Sequence, residues 1–141
     1  MATARSRNAA GGSAVPVLAA TAGLRLGQTQ IFTALDDSPS FRTGYGFVET
    51  AGAAAKVRAR ILIDDSNALV TAVTDRTYTL APRQQIYLPE LLRSFAGDLR
   101  DELGDFHALI LEIEVTEGTG AVVPFIIATD EGTGDTSLRL Q

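Results

Sequence analysis

The cleanest pattern in the chain is the alternation in Lys56-Val57-Arg58-Ala59-Arg60-Ile61-Leu62-Ile63, where Val57, Ala59, Ile61 and Ile63 share one parity and Lys56, Arg58 and Arg60 the other. Successive side chains of a strand point to opposite faces, so this reads as a strand with one face on a core and a basic stripe in water. The stripe is expected to be a solvated face that discourages edge pairing. Phe41-Arg42-Thr43-Gly44-Tyr45-Gly46-Phe47-Val48-Glu49-Thr50 also has period two, with three rings and Thr43 on one face and Arg42, Gly44, Gly46 and Val48 on the other. Its two glycines predict a bend, a bulge or a closely approaching backbone.

Further strands are predicted over 30–35, 84–88, 109–115, 121–128 and 136–140, with 69–80 reading as one long strand or two short ones bent near Asp75. The segment 109–115 is expected to be central. Asp36-Asp37-Ser38-Pro39-Ser40 and Asp64-Asp65-Ser66-Asn67 are turn chemistry, and Glu117-Gly118-Thr119-Gly120 predicts a hairpin. Pro16 confines the apolar run 15–20 to an edge strand or a strand start, because proline lacks a ladder donor. A helix is predicted over 89–96, opened by Pro89 and Glu90, with Leu91, Leu92, Phe95 and Leu99 at helical spacing. Gly97 weakens its continuation, so a further turn is placed over 98–103.

Residues 1–13 lack periodicity and are expected to form a flexible arm, leaving 14–141 as a single domain. A 141-residue chain is long enough to bury a substantial core. Aromatics make up only 6% of it, so aliphatics are expected to carry most of that core, with the Tyr and Phe rings inside it rather than on a sugar-binding surface. Net charge of -5 and a pI near 4.7 argue against nucleic acid or an anionic membrane as partner. No stretch is long and apolar enough to insert in a membrane, and the first 13 residues lack the apolar run of a signal peptide. Zero cysteines exclude disulfides and thiolate chemistry. Eight or nine short strands with glycine-rich turns and one short helix describe an antiparallel sandwich.

The Phe41-Arg42-Thr43-Gly44-Tyr45-Gly46-Phe47-Val48-Glu49 stretch, Thr77-Tyr78-Thr79-Leu80-Ala81-Pro82 with Gln85-Ile86, and Gly118-Thr119-Gly120-Ala121-Val122-Val123 with Thr133-Gly134-Asp135 together resemble a family of immunoglobulin-like β-sandwich modules of exported bacterial proteins. That family carries F-R-T-N-x-G-x-V-N, G-T-G-x-V and R-T-G-D patterns, and its modules are often repeated or follow a catalytic domain. The likeness runs from about Gln28 to Leu140. Gly44 stands where the pattern has Asn, Glu49-Thr50 replaces its Val-Asn ending, and 93–105 is longer than the matching connection. The resemblance implies an all-β, immunoglobulin-like sandwich of about 7–9 strands with a non-catalytic structural or adhesive role, extracellular or at a cell surface.

The chemistry-bearing residues give little support to an enzyme. His107 is the sole histidine, opens an apolar strand, and has no nucleophile elbow to serve. The glycines at 44, 46, 118, 120, 132 and 134 precede no Lys-Ser and open no strand-to-helix unit, which removes a phosphate loop. Asp130, Glu131 and Asp135 flank two glycines in one loop, where oxygens could gather around Ca²⁺; Asp64 and Asp65 are a poorer pair. Polar turn residues that need only water explain both clusters and are the favoured reading. Val15, Val17 and Leu18 lie in a run able to complete a neighbour's sheet by strand addition, which would make the chain a homo-oligomer. A second reading has the three acidic loops converging at one end of the sandwich on a carbohydrate or calcium, as an accessory module of a secreted enzyme. Expected partners are therefore protein, either a second copy or domains of a parent polypeptide, or carbohydrate.

Overall fold

The computed structural model describes residues 2–8, 11–17, 23–65, 69–96 and 106–140. In chain order the elements are β1 (Ala2–Asn8), β2 (Gly11–Val17), β3 (Thr29–Asp37), β4 (Phe41–Glu49), β5 (Ala55–Asp65), β6 (Leu69–Leu80), β7 (Gln85–Leu88), α1 (Leu91–Ala96), β8 (Phe106–Gly118), β9 (Val122–Asp130) and β10 (Thr136–Leu140). Strands β3-β8-β5-β6 form one antiparallel sheet and β10-β9-β4-β7 a second, while β1 and β2 pair with each other as a separate two-stranded sheet. The fold is all-β and sandwich-like. Where the sequence predicts an aperiodic arm followed by an apolar strand, Ala2–Asn8 and Gly11–Val17 form a hairpin in which Val15 lies opposite Ala4 and Val17 opposite Ala2. Leu18 lies outside the described residues.

The core lies between the two four-stranded sheets. Val57, Ala59 and Ile61 of β5 and Leu109, Leu111, Ile113 and Val115 of β8 come from one side, and Tyr45 and Phe47 of β4 and Ile126 of β9 from the other. Every one of these is 0 or 1% exposed, and burying an aliphatic or aromatic side chain of this size contributes about 1.5–3 kcal/mol. The parity read from 56–63 is realised at Val57, Ala59 and Ile61. The basic stripe behaves differently from expectation. Strand β5 is interior, with β8 and β6 on its flanks, and its cations are paired across to β8: Lys56 with Glu117 at 2.7 Å, Arg58 with Glu114 at 2.5 Å, Arg60 with Glu112 at 3.3 Å. Alternation reports the face of a strand and carries no information about its neighbour, so the acids on β8 were legible only separately.

Two further differences have local causes. Gly118 to Ala121 joins β8 to β9 in the opposite sheet and does not close a hairpin. Gly118 has φ of 94°, and a Cβ there would lie 2.3 Å from Ala54 O, so the chain turns across the sandwich against the 51–55 segment. The helix begins at Leu91, two residues after Pro89, because the buried Asp37 carboxylate receives Leu92 N at 2.9 Å and sets the first turn. Residues 97–105, including the turn placed at 98–103, lie outside the description.

Strand β6 is one strand with a bulge: Thr74 faces Ile61 and Ala72 faces Leu62, leaving Val73 extra, just before the bend placed near Asp75. Pro124 sits in β9, an interior strand, at a place where nothing is lost. Strand β10 pairs with β9 only between Phe125 and Thr129, so no partner awaits a proline N–H.

Candidate functional site

Of the three acidic loops, 36–40 and 130–135 meet at one end of the sandwich, as the register requires. Asp37 pairs with Phe106 and Ile63 with Leu109, so β3 ends where β8 begins and where β5 turns into β6; Phe41 pairs with Asp130, which brings the β9–β10 turn alongside. Residues 66–68 of the middle loop lie outside the described residues. The other two are joined directly by Glu131 N donating to Ser40 O at 2.9 Å and by the Arg42–Glu131 ion pair at 2.8 Å.

The acidic turn 130–135 holds its carboxylates apart. Asp130 Oδ1 accepts from Gly132 N at 2.8 Å and Thr133 N at 3.1 Å, the geometry of an Asx-type turn. Glu131 turns to Arg42, and Asp135 supplies a backbone oxygen to Asp130 N at 2.9 Å. Among the described residues no three His, Cys, Asp or Glu side chains are placed to hold a metal ion. The calcium expectation at Asp130, Glu131 and Asp135 is therefore not met by this geometry, because one carboxylate caps backbone donors and another is neutralised. His107 lies in β8, and its side chain, like those of Asp64 and Asp65, lies outside what is described.

What the turn does border is a groove of about 220 Å³ lined by Phe41, Ala128, Asp130, Asp135, Thr136 and Ser137. Phe41 is 41% exposed there, unlike Tyr45 and Phe47 of the same face, which lie deeper between the sheets. Its backbone is pinned: Phe41 N donates to Ser38 O and Oγ, and Ser38 N donates to Phe41 O. Ala128 lies opposite Thr43 on one side and Ser137 on the other, and its methyl group leaves the floor open.

The opposite end is organised by a residue that sequence reasoning treated only as a departure from a pattern. Glu49 is 1% exposed and accepts four backbone N–H groups: Ala51 at 2.7 Å and Ala121 at 3.1 Å on Oε1, Gly52 at 2.8 Å and Arg83 at 2.8 Å on Oε2. Burial works to raise its pKa, but the four donors outweigh it and hold the carboxyl at about 2. One charged side chain thus ties the segments after β4, before β7 and before β9. No signal in a single sequence marks a glutamate for this role.

Between the ends, α1 closes the core. Phe95 stacks on Tyr45 with ring centroids 5.6 Å apart, and Arg76 of β6 donates to Phe95 O at 2.8 Å, placing a cation at the helix C-terminus. The Tyr45 and Tyr78 hydroxyls are hydrogen-bonded at 2.7 Å, and Ser94 Oγ lies 3.0 Å from Tyr45 Oη. Burial pushes both phenols above the ordinary tyrosine range. Asp37, Glu49, Tyr45 and Ser94 are thus all engaged in hydrogen bonds that position backbone or α1.

The chain matches no protein-family model and no curated protein. It shares its fold with the crystal structure of Thermotoga maritima 1070, with a TM-score of 0.51 at 16% sequence identity over 84% of this chain and 91% of that one. At that identity the likeness is one of fold alone.

Proposed function

We propose that this chain is a non-catalytic, immunoglobulin-like β-sandwich module with a structural or adhesive role on an exported or surface-displayed protein, and that it self-associates through the outer face of its β10-β9-β4-β7 sheet. One contrast carries the reading. The outer face of the β3-β8-β5-β6 sheet carries a ladder of ion pairs beside the exposed Ile31, whereas the outer face of the other sheet carries half-buried Val48, Ile127, Leu138 and Leu140 with Tyr87, which is 43% exposed and stacks on the buried Phe125. Apolar sheet faces of this kind suit a protein partner, and a second copy offers the same surface. The resemblance to modules of exported proteins supports the compartment and the non-catalytic role. The hairpin β1–β2, with Val15 and Val17 in its second strand, offers an added route to association because two paired strands alone are marginal in water.

Sedimentation of the whole chain, of a form lacking residues 1–22, and of the Ile127→Lys variant tests the reading. The expected result is a particle larger than the 14.9 kDa chain that persists without the hairpin and dissociates in Ile127→Lys. A wild-type chain that sediments as a monomer at every concentration overturns the self-association, and turnover of ester, peptide or glycoside substrates overturns the non-catalytic role.

A further inference from the structure

We propose that the groove beside Phe41 binds a neutral, hydroxyl-rich ring, that is, one residue of a carbohydrate. Its chemistry selects that class. The exposed Phe41 ring offers an apolar surface to the C–H face of a sugar, a geometry aromatic side chains favour because the edge-positive C–H groups meet the negative π-face. Asp135 lines the groove with an exposed carboxylate and Asp130 retains Oδ2 beyond the Oδ1 that caps its turn, and O–H to carboxylate bonds are among the strong ones; Thr136 and Ser137 both donate and accept.

The same groups work against the alternatives. Phosphate and carboxylate ligands meet two carboxylates on a chain of net charge -5. A hard cation meets Asp130 Oδ1 already facing two N–H dipoles, with Glu131 held away by Arg42. The walls are also set in advance. Ser38 fixes the start of β4, Glu131 N fixes the turn to Ser40 O, and Gly134 N donates to Asp130 O at 2.7 Å, so little ordering remains on binding. This site is separate from the apolar outer face, and each is tested without the other.

The test is a ¹H-¹⁵N titration of the full chain with soluble neutral oligosaccharides of glucose, xylose, mannose and N-acetylglucosamine, each to about 10 mM, with CaCl₂ as a parallel arm. The expected outcome is movement of resonances in 40–43 and 128–137 by at least one sugar, with a millimolar or tighter dissociation constant. Phe41→Ala and, independently, Asp135→Asn should each weaken it about tenfold while keeping the thermal midpoint near wild type. Asp135 is exposed, so its variant keeps the question answerable if Phe41→Ala unfolds. The proposal is overturned if no sugar moves those resonances, if CaCl₂ alone does, or if both variants bind as wild type.

Discussion

Tyr87 and Phe125 stack across Gly46, with ring centroids 6.0 Å apart and planes 17° from parallel. The register places Gly46 opposite Tyr87 on β7 and opposite Phe125 on β9, so the missing side chain is what lets two rings from flanking strands meet over β4. A Cβ on Gly46 would lie 2.4 Å from both Ile86 O and Phe125 Cζ. Gly46→Ala should therefore destabilise the fold by about 1–3 kcal/mol, the usual range for overpacking, read as a lower denaturant midpoint at unchanged slope. Gly27→Ala is the control, since φ of 77° is its sole strain and nothing lies within 4 Å; it should cost about 1 kcal/mol.

Glu49 makes stability depend on acid. Its carboxyl is held at about 2 in the fold against an ordinary value of 4.5, so the folded state binds fewer protons across that interval. The contribution is fully present above pH 4.5 and is lost as pH falls towards 2. Glu49→Gln should remove that part of the acid dependence and cost about 3 kcal/mol near neutrality, because an amide NH₂ would face two of the four N–H donors. Urea midpoints measured from pH 6 down to pH 2 on both proteins read both effects; equal slopes for the two would refute the role given to Glu49.

The turn Ala81-Pro82-Arg83-Gln84 carries a correctable strain. Gln84 N donates to Ala81 O at 3.1 Å, Pro82 holds the second position, and Arg83 in the third has φ of 60°. That is the type II arrangement, which asks for glycine there. Arg83→Gly keeps the N–H that Glu49 needs and should stabilise the chain by up to about 1 kcal/mol, offset in part by the added freedom of the unfolded chain. Thermal unfolding decides it, and a drop in midpoint would show that the Arg83 side chain matters more than its backbone.

The paired tyrosines give the opposite limb of the pH profile. Tyr45 and Tyr78 are raised above 10.0 by burial, so the fold retains protons that the unfolded chain releases. Their contribution is complete below pH 10.0 and falls away as pH rises beyond it. Absorbance at the phenolate band should show Tyr45 and Tyr78 ionising only with unfolding. Tyr45→Phe should lose about 1 kcal/mol by removing the bond to Tyr78.

How much of this was legible in the sequence depends on which physical interaction sets each feature. Parity settles faces, so Val57, Ala59 and Ile61 were placed inward from their spacing, whereas spacing gave Tyr45 and Phe47 only a common face and the scarcity of aromatics put them in the core; Tyr78 and Phe95 join them as a partly buried and a buried ring. Register is a tertiary property. Nothing in Lys56, Arg58 and Arg60 announces Glu117, Glu114 and Glu112, and nothing in Gly118-Thr119-Gly120 distinguishes a hairpin from a crossing between sheets. The glycines of β4 were read as yielding to a bend or a backbone. Gly46 indeed meets a carbonyl, but also the Phe125 ring, and Gly44 meets the Tyr87 hydroxyl, contacts that depend on which strands flank β4. The convergence of the 36–40 and 130–135 loops was anticipated, whereas Phe41 as the wall of a groove was not, because its parity matches that of buried rings and only the strand's end exposes it.

The pairing of β4 with β9, from Phe41 opposite Asp130 to Glu49 opposite Val122, bears on the order in which the chain can assemble. On a ribosome β3 and β4 emerge long before β8 and β9, the strands that cover their edges. The hairpin of β5 with β6 is local and can close early, but both sheets reach their full order only after the last third of the chain is free. Non-local pairing of this kind folds in milliseconds to seconds rather than microseconds. Tyr45 and Phe47 therefore spend the interval uncovered, and the yield of soluble protein should respond to translation rate and to chaperones that shield an unfinished sheet.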